Sequence, residues 1–274
     1  MSGNIGIHWK SVATEWKCFG SPLRPCNEDV RYMEKVIADK YSDQENCRVQ
    51  LCGVTPEIVS IKWPDKAYIS AVEQSQEMID ENWPGDVNGK RLAIKGDWLD
   101  SASNKNHHDV VIGDGCFISV DYPEGYSALA TALVGTLKKN GIFIMRFFTQ
   151  LEEKESSDHV FSELLAGKIG SFHAFKWRLA MSLQKSSQQG ICLNDIYNAW
   201  QQAEIDHEQL SSMTGWSHDA IETISLYANK ENRFSFATLA EILEVFETDF
   251  VKESIYFPQY ELGERCPIIS FVPR

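Results

Sequence analysis

Gly53 and Glu73 stand twenty residues apart, each at the end of a short apolar run that reads as a β-strand. Glycine lets the backbone turn tightly and approach a ligand closely. A carboxylate offers two acceptor oxygens, which match two hydroxyl donors on one ribose. Nucleotide-binding α/β folds place their ribose-binding acid at about this distance from the first turn. Taken alone, the two residues are equally well read as a plain turn and a solvated strand end. Further strand ends carry the same chemistry, with Gly96-Asp97-Trp98 after the third strand and Gly113-Asp114-Gly115 after the fourth. Open parallel sheets bind ligands at the carboxyl ends of their strands, so this recurrence points to one cleft. The full G-x-G-x-x-G pattern is absent, which weakens a dinucleotide-cofactor reading.

A sheet must hold these residues in register. Apolar runs at 49–52, 67–72, 92–94, 109–113 and 141–148 are nearly continuous, as in parallel strands buried on both faces. Amphipathic stretches at 75–83 and 126–139 alternate with them, the second ending in Asn140-Gly141 as a helix C-cap. Thr55 and Pro56 suit the N-cap and first position of a helix after the first strand. Residues 151–250 read as helices, at 161–165, 172–184, 193–207 and 236–250, with no strand. Segments 254–260 and 267–272 flank a turn at Gly263 and read as a hairpin. The expected fold is α/β: a Rossmann-like, doubly wound, mostly parallel seven-stranded sheet with a C-terminal antiparallel hairpin and a helical insertion. Residues 1–47 form the expected helical cap, 48–150 with 251–274 the α/β core, and 151–250 the insertion, a candidate substrate lid.

The 274 residues suffice for a core without disulfides or structural metal. With 43% hydrophobic and 24% charged residues, disorder and fibrous repeats are excluded. A net charge of −13 disfavours general binding to nucleic-acid backbone. The insertion holds 7 Lys and Arg against 16 Asp and Glu, so most of that charge lies there. Seven scattered cysteines, with no Cys-x-x-Cys pair, fit a reducing compartment and give no metal site. No leader pattern and no long apolar run is present, so the expected location is cytoplasmic, without a membrane partner. The oligomeric state is left open.

At this point the chain resembles the class I S-adenosylmethionine-dependent methyltransferases, in a subgroup with a Gly-Val-Thr-Pro-Glu first loop. The resemblance covers residues 16–149 and the C-terminal hairpin. It is carried by Leu51-Cys-Gly-Val-Thr-Pro-Glu57, Trp63-Pro64, Ala71-Val-Glu-Gln-Ser-Gln-Glu-Met-Ile79, Trp83-Pro84-Gly85, Gly96-Asp97-Trp98, Asp109-Val-Val-Ile-Gly-Asp-Gly115 and Lys139-Asn-Gly-Ile-Phe143. It implies S-adenosylmethionine as cofactor and methyl transfer by in-line displacement to a small-molecule acceptor. Gly53, Val54 and Thr55 would pass the methionine part, and Glu73 would bind the ribose. Gln74 and Met78 would line the adenine, with Asp97 accepting from its amino group and Trp98 alongside. Asp114 and Gly115 would sit beside the sulfonium. The stretch from Trp16 to Asp29 would fold over the pocket, where Arg24 could meet the cofactor carboxylate or remain an exposed loop residue.

No catalytic triad is needed for such a transfer, because alignment and the cofactor supply the chemistry. The candidates for a general base are Asp114, Tyr122 and His159, with Tyr126 and His173 as further possibilities. His107 and His108 are expected in a solvated loop. Arg146, within the fifth strand, requires a carboxylate partner or a place facing the pocket. Aromatic stretches at 172–177 and 197–200 could line an acceptor pocket or fill a core. The Asn-Pro-Pro-aromatic motif of base and glutamine amino-methylation is absent after strand four. Two other functions compete. One is a non-catalytic S-adenosylmethionine sensor or partner subunit; the other is an aminopropyl transferase using the decarboxylated cofactor.

Overall fold

The computed structural model describes residues 10, 12–41, 46–100 and 107–274. Most of the stretch read for a leader, residues 1–9 and 11, lies outside the described residues, as do residues 42–45 of the expected cap. Five parallel strands, β1 (Arg48–Cys52), β2 (Tyr68–Glu73), β3 (Arg91–Lys95), β4 (His108–Asp114) and β5 (Leu137–Arg146), are followed by two two-residue strands, β6 (Ile191–Cys192) and β7 (Arg233–Phe234). A hairpin of β8 (Phe250–Tyr256) and β9 (Ile268–Pro273) ends the chain, with β9 antiparallel to β5. The main sheet runs β3-β2-β1-β4-β5-β9-β8. Strand order therefore reverses between β1 and β4, where an open sheet leaves a crevice.

Why the strands are apolar throughout is visible in their two faces, because successive side chains point to opposite sides. Val110, Ile112, Ile142 and Ile144 pack with Met33, Ile37 and Tyr41 of helix α1 (Asn27–Tyr41). The first loop is followed by the short α2 (Pro56–Val59), and β2 by α3 (Gln76–Asn82). Val111, Phe143 and Met145 face the other way, against Leu129, Ala130 and Leu133 of α4 (Glu124–Thr136). A third cluster is built from α5 (Ser157–Leu165), α6 (Phe172–Leu183), α7 (Leu193–Gln202), α8 (His207–Thr214) and α9 (His218–Glu222). The last helix, α10 (Leu239–Phe246), packs its Ile242 and Phe246 with the sheet cluster instead. No helix among the described residues is long and apolar enough to cross a membrane.

Several local expectations are corrected. Helix α4 stops at Thr136 and β5 begins at Leu137, so Asn140-Gly141 is not a C-cap. The lysines after Thr136 are drawn into the strand: Leu137 pairs with His108, and Lys138 Nζ meets both Asp109 oxygens at 2.8 and 2.9 Å. His108 is accordingly not in a loop; it opens β4, is 3% exposed, and burial pushes its pKa down to about 4. Residues 151–250 do contain strands, since β6 and β7 form an antiparallel ribbon too short to give an alternating pattern. The hairpin starts earlier than expected, at Phe250, because α10 ends at Phe246.

The turn at Gly263 is set by a close backbone approach: a Cβ there would stand 1.9 Å from the Pro258 carbonyl oxygen. Gly263→Ala should therefore cost at least ~2 kcal/mol of stability. Gly135→Ala, in α4 with nothing within 4 Å, should gain about 0.5–1 kcal/mol. Urea unfolding of both variants checks the pair, and equal effects would contradict the packing at Gly263.

Candidate functional site

A cavity of about 340 Å³ opens at the carboxyl ends of β1, β2 and β4, within the usual size of small-molecule sites. Its floor is the first loop. Gly53 adopts φ 87°, a left-handed conformation that favours glycine, and its N–H donates to Val72 at 2.8 Å. A Cβ on Gly53 would come 3.7 Å from Glu73 Oε2, so the glycine leaves room between loop and acid. Val54 and Thr55 continue the floor. Thr55 occupies the N-cap position of α2 with Pro56 following, but its hydroxyl caps no helix N–H.

One wall is acidic. Glu73 ends β2, 8% exposed, and accepts the Ser75 N–H at 2.8 Å through Oε1. Burial pushes its carboxyl up, and the neighbouring backbone N–H groups oppose that shift. Asp97 follows β3 and accepts from Gln74 Nε2 at 2.6 Å and from the Leu99 N–H at 2.9 Å. Gln74 is thereby held against Asp97, while Trp98 is fixed by its indole N–H on Val72 O at 2.7 Å. Met78 lies beneath, 5% exposed.

At the end of β4, Asp114 receives a two-pronged bond from Arg146, with Nε to Oδ1 at 2.5 Å and Nη2 to Oδ2 at 3.0 Å. Arg146 is fully buried. It also meets Asp29 Oδ2 at 3.5 Å and Tyr260 Oη at 3.0 Å. Burial works against both charges: it pushes the Asp114 carboxyl up although Arg146 opposes that shift, while Asp114, Tyr260 and Asp29 hold Arg146 above its ordinary range. Asp114 lines the cavity with each oxygen accepting one bond from Arg146, so taking up a proton as a general base would cost the buried Arg146 a counter-charge. Gly115 turns beside it at φ 62°, where a Cβ would meet the Phe148 ring at 2.5 Å.

Ten of the eleven cofactor residues expected from the sequence line this one cavity: Gly53, Val54, Thr55, Glu73, Gln74, Met78, Asp97, Trp98, Asp114 and Gly115. Arg24 does not. Glu57 takes its Nε at 2.8 Å and its Nη2 at 2.5 Å, Trp16 O takes Nη1 at 3.0 Å, and its guanidinium lies 5.1 Å from the Trp16 ring. The two remaining base candidates are also elsewhere. Tyr122 packs edge-on against Tyr126 at 5.3 Å in the sheet core. His159 is 56% exposed on α5, 3.9 Å from Glu163.

On the opposite wall Phe19, from the stretch expected to fold over the pocket, meets Ser119, Phe148, Tyr227 and Phe234, which the sequence did not single out, and Trp177. Trp177 belongs to the aromatic stretch that could have been core, and spacing alone could not separate the two. Behind this wall, His173 stacks on Phe19 at 5.6 Å and its Nε2 lies 2.9 Å from Cys18 O. A carbonyl only accepts, so Nε2 carries the proton; buried Nδ1 has no partner among the described residues. Burial lowers the His173 pKa to about 3. Lys176, fully buried, donates to Thr223 Oγ1 at 2.8 Å and lies 4.8 Å from the Phe19 ring and 5.2 Å from that of Tyr227. Burial pulls its pKa well below the ordinary lysine range. No cluster of three or more metal-ligating side chains occurs among the described residues.

Neither a family model nor a curated protein sequence matches the chain. Solved structures match its fold. A Rhodobacter sphaeroides protein, provisionally named a Zn-dependent alcohol dehydrogenase, aligns over 100% of both chains with 11% identity and a TM-score of 0.66. The 1,6-didemethyltoxoflavin-N1-methyltransferase of Burkholderia thailandensis, with bound 1,6-didemethyltoxoflavin and S-adenosylhomocysteine, aligns over 99% of this chain and 88% of its own. The identity is 10% and the TM-score 0.53. The DhpI–SAH complex aligns over 100% and 98%, with 12% identity and a TM-score of 0.53. The likeness at these identities is one of fold: a Rossmann-like α/β sheet shared with methyltransferases.

Two predictions follow from the buried charges. Asp114→Asn breaks one arm of a buried pair and should cost about 3 kcal/mol in chemical unfolding; a loss below ~1 kcal/mol would contradict the pairing. His173 is neutral when folded, whereas the unfolded chain takes up a proton below pH about 6.5. Its stabilisation is complete above that pH and is lost progressively as pH falls toward 3. His173→Gln, which keeps a donor for Cys18 O but cannot titrate, should recover about 2 kcal/mol of the stability lost between pH 7 and pH 4.5. An unchanged pH slope would refute the assignment.

Proposed function

We propose that this chain is an S-adenosylmethionine-dependent methyltransferase acting on a small-molecule acceptor. The observation that carries the reading is the convergence of Gly53, Glu73, Asp97 and Asp114 on one cavity at the switch in strand order. The residues suit the cofactor. Gly53 leaves a cradle beside Glu73 Oε2 that a Cβ would fill, which suits a ribose lying against the acid. Gln74, Met78, Asp97 and Trp98 offer a flat, partly apolar slot with one carboxylate, as an adenine and its amino group require. Gly53, Val54 and Thr55 would face the methionine part. When bound, that cofactor supplies an electrophilic methyl group on a positively charged sulfonium.

The residues of the chain align and enclose. Asp114 and Asp29 set two carboxyl groups around the one guanidinium of Arg146, and Asp114 lies beside the place a sulfonium would take. Cap residues Trp16, Phe19 and Leu23 close one side of the cavity. Trp177, Tyr227 and Phe234 come from residues 151–250, which supports reading that insertion as the lid over the acceptor. With no base offered by Asp114, Tyr122 or His159, rate enhancement rests on positioning and exclusion of water.

S-adenosylmethionine should raise the melting temperature with its concentration, and NAD should not. Glu73→Ala and Asp97→Ala should each weaken cofactor binding by roughly 1–3 kcal/mol in calorimetry. No stabilisation at millimolar cofactor, or unchanged affinity in both variants, would defeat the reading. Transfer of labelled methyl groups to a small-molecule extract separates an enzyme from a protein that only senses the cofactor.

A further inference from the structure

The aromatic end of the cavity restricts what can accept the methyl group, granted the methyltransferase reading above. Three carboxylates line the cavity, and no Lys, Arg or His among the described residues does so. Glu73 ends β2 and Asp97 follows β3, whereas Phe148 follows β5, with β1 and β4 between β2 and β5. Neighbouring strands lie about 4.8 Å apart, so roughly 14 Å separates β2 from β5 and those two acids do not serve the aromatic end. Asp114 lies nearer, and Arg146 holds both of its oxygens. Tyr227 is there too, but burial raises its phenol above the ordinary range. Ser119 follows β4 on the same wall, and its hydroxyl has no hydrogen-bond partner among the described residues.

Each property excludes a class of acceptor. An anionic acceptor would be desolvated with no cation to receive it. A hydroxyl acceptor would find no base to take its proton. Phe19, Phe148, Trp177, Tyr227 and Phe234 offer faces and edges that suit a flat ring.

We propose that the acceptor is a neutral, planar aromatic molecule methylated on an arylamine or ring nitrogen, its ring between these aromatic side chains and its nitrogen beside the Ser119 hydroxyl. The nitrogen lone pair forms the new bond to the methyl carbon while the carbon–sulfur bond breaks and leaves its electron pair on sulfur. The sulfonium becomes a neutral thioether, and the positive charge passes to nitrogen. An arylamine product sheds its extra proton to water as it leaves the cavity, and a ring nitrogen without hydrogen keeps the charge, so neither needs a protein base.

The wild-type chain, loaded with S-adenosylhomocysteine, is titrated with 8-aminoquinoline, 8-hydroxyquinoline and quinoline-8-carboxylate in a calorimeter. Both neutral compounds should bind at least tenfold more tightly than the carboxylate. With labelled S-adenosylmethionine, 8-aminoquinoline should gain a methyl group on nitrogen and 8-hydroxyquinoline none on oxygen. Ser119→Ala should weaken 8-aminoquinoline binding three- to tenfold and leave S-adenosylhomocysteine affinity unchanged. Any of four results overturns the proposal: equal or tighter carboxylate binding, no binding of the neutral pair at millimolar concentration, an O-methyl product, or a bound 8-aminoquinoline that gains no methyl group. Unchanged affinity in Ser119→Ala would remove Ser119 from it. If S-adenosylmethionine itself fails to bind, the methyltransferase reading falls; a failure confined to the quinolines defeats only this inference.

Discussion

The Arg146 guanidinium is a full charge with no access to water, so everything around it must be arranged to receive it. Asp29 comes from α1, Asp114 from the end of β4, and Tyr260 from the loop between β8 and β9. The same Asp29 accepts the Cys26 N–H at 2.7 Å and the Tyr260 hydroxyl at 2.9 Å. One buried cation thus ties the cap, the fourth and fifth strands and the C-terminal hairpin at the edge of the cavity. The cost of leaving either carboxylate or guanidinium unpaired is several kcal/mol, which makes the arrangement all-or-none. It also bears on the chemistry: a proton taken up by Asp114 would strip the buried Arg146 of a counter-charge, which makes Asp114 a costly base.

Charge along the chain and charge in the cavity are separate matters. Residues 151–250 carry most of the excess acid, yet their contribution to the cavity wall is Trp177, Tyr227 and Phe234. The carboxylates that face the cavity all come from the sheet ends. Acidity of the insertion therefore belongs to its outer surface and to ion pairs such as Glu155 with Arg178 and Arg265, rather than to selection of a cationic acceptor.

Strand ends were legible because their chemistry is local. Gly53 needs its φ of 87° and Glu73 closes a strand, and neither depends on what packs from afar. The hydrophobic runs gave the parallel sheet for the same reason, since two buried faces leave no polar alternation. The acceptor wall was not legible. Phe172, Phe175 and Trp177 share one helix and similar spacing, yet Phe172 and Phe175 fill the core while Trp177 lines the cavity. Only tertiary packing makes that distinction. Arg24 illustrates the converse: it has the right chemistry for a carboxylate, and Glu57, thirty-three residues away, claims it first. His108 escaped for a similar reason, because strand pairing with Leu137 extends β4 one residue beyond its apolar run.

A polar seam behind the aromatic wall joins cap to insertion. Phe19 belongs to the cap, His173 and Lys176 to α6, and Thr223 and Tyr227 to the turn after α9. Lys176 has a hydroxyl and two ring faces for company and no carboxylate among the described residues, and burial drives it toward the neutral amine. A lysine held neutral can stay between Phe19 and Tyr227 without a counter-ion, whereas a protonated one gains by reaching water. Separating the two rings would open that route and expose the cavity they line. The closed wall and the neutral lysine therefore favour one another, and the enclosure of the aromatic end is a property of the seam rather than of either segment alone.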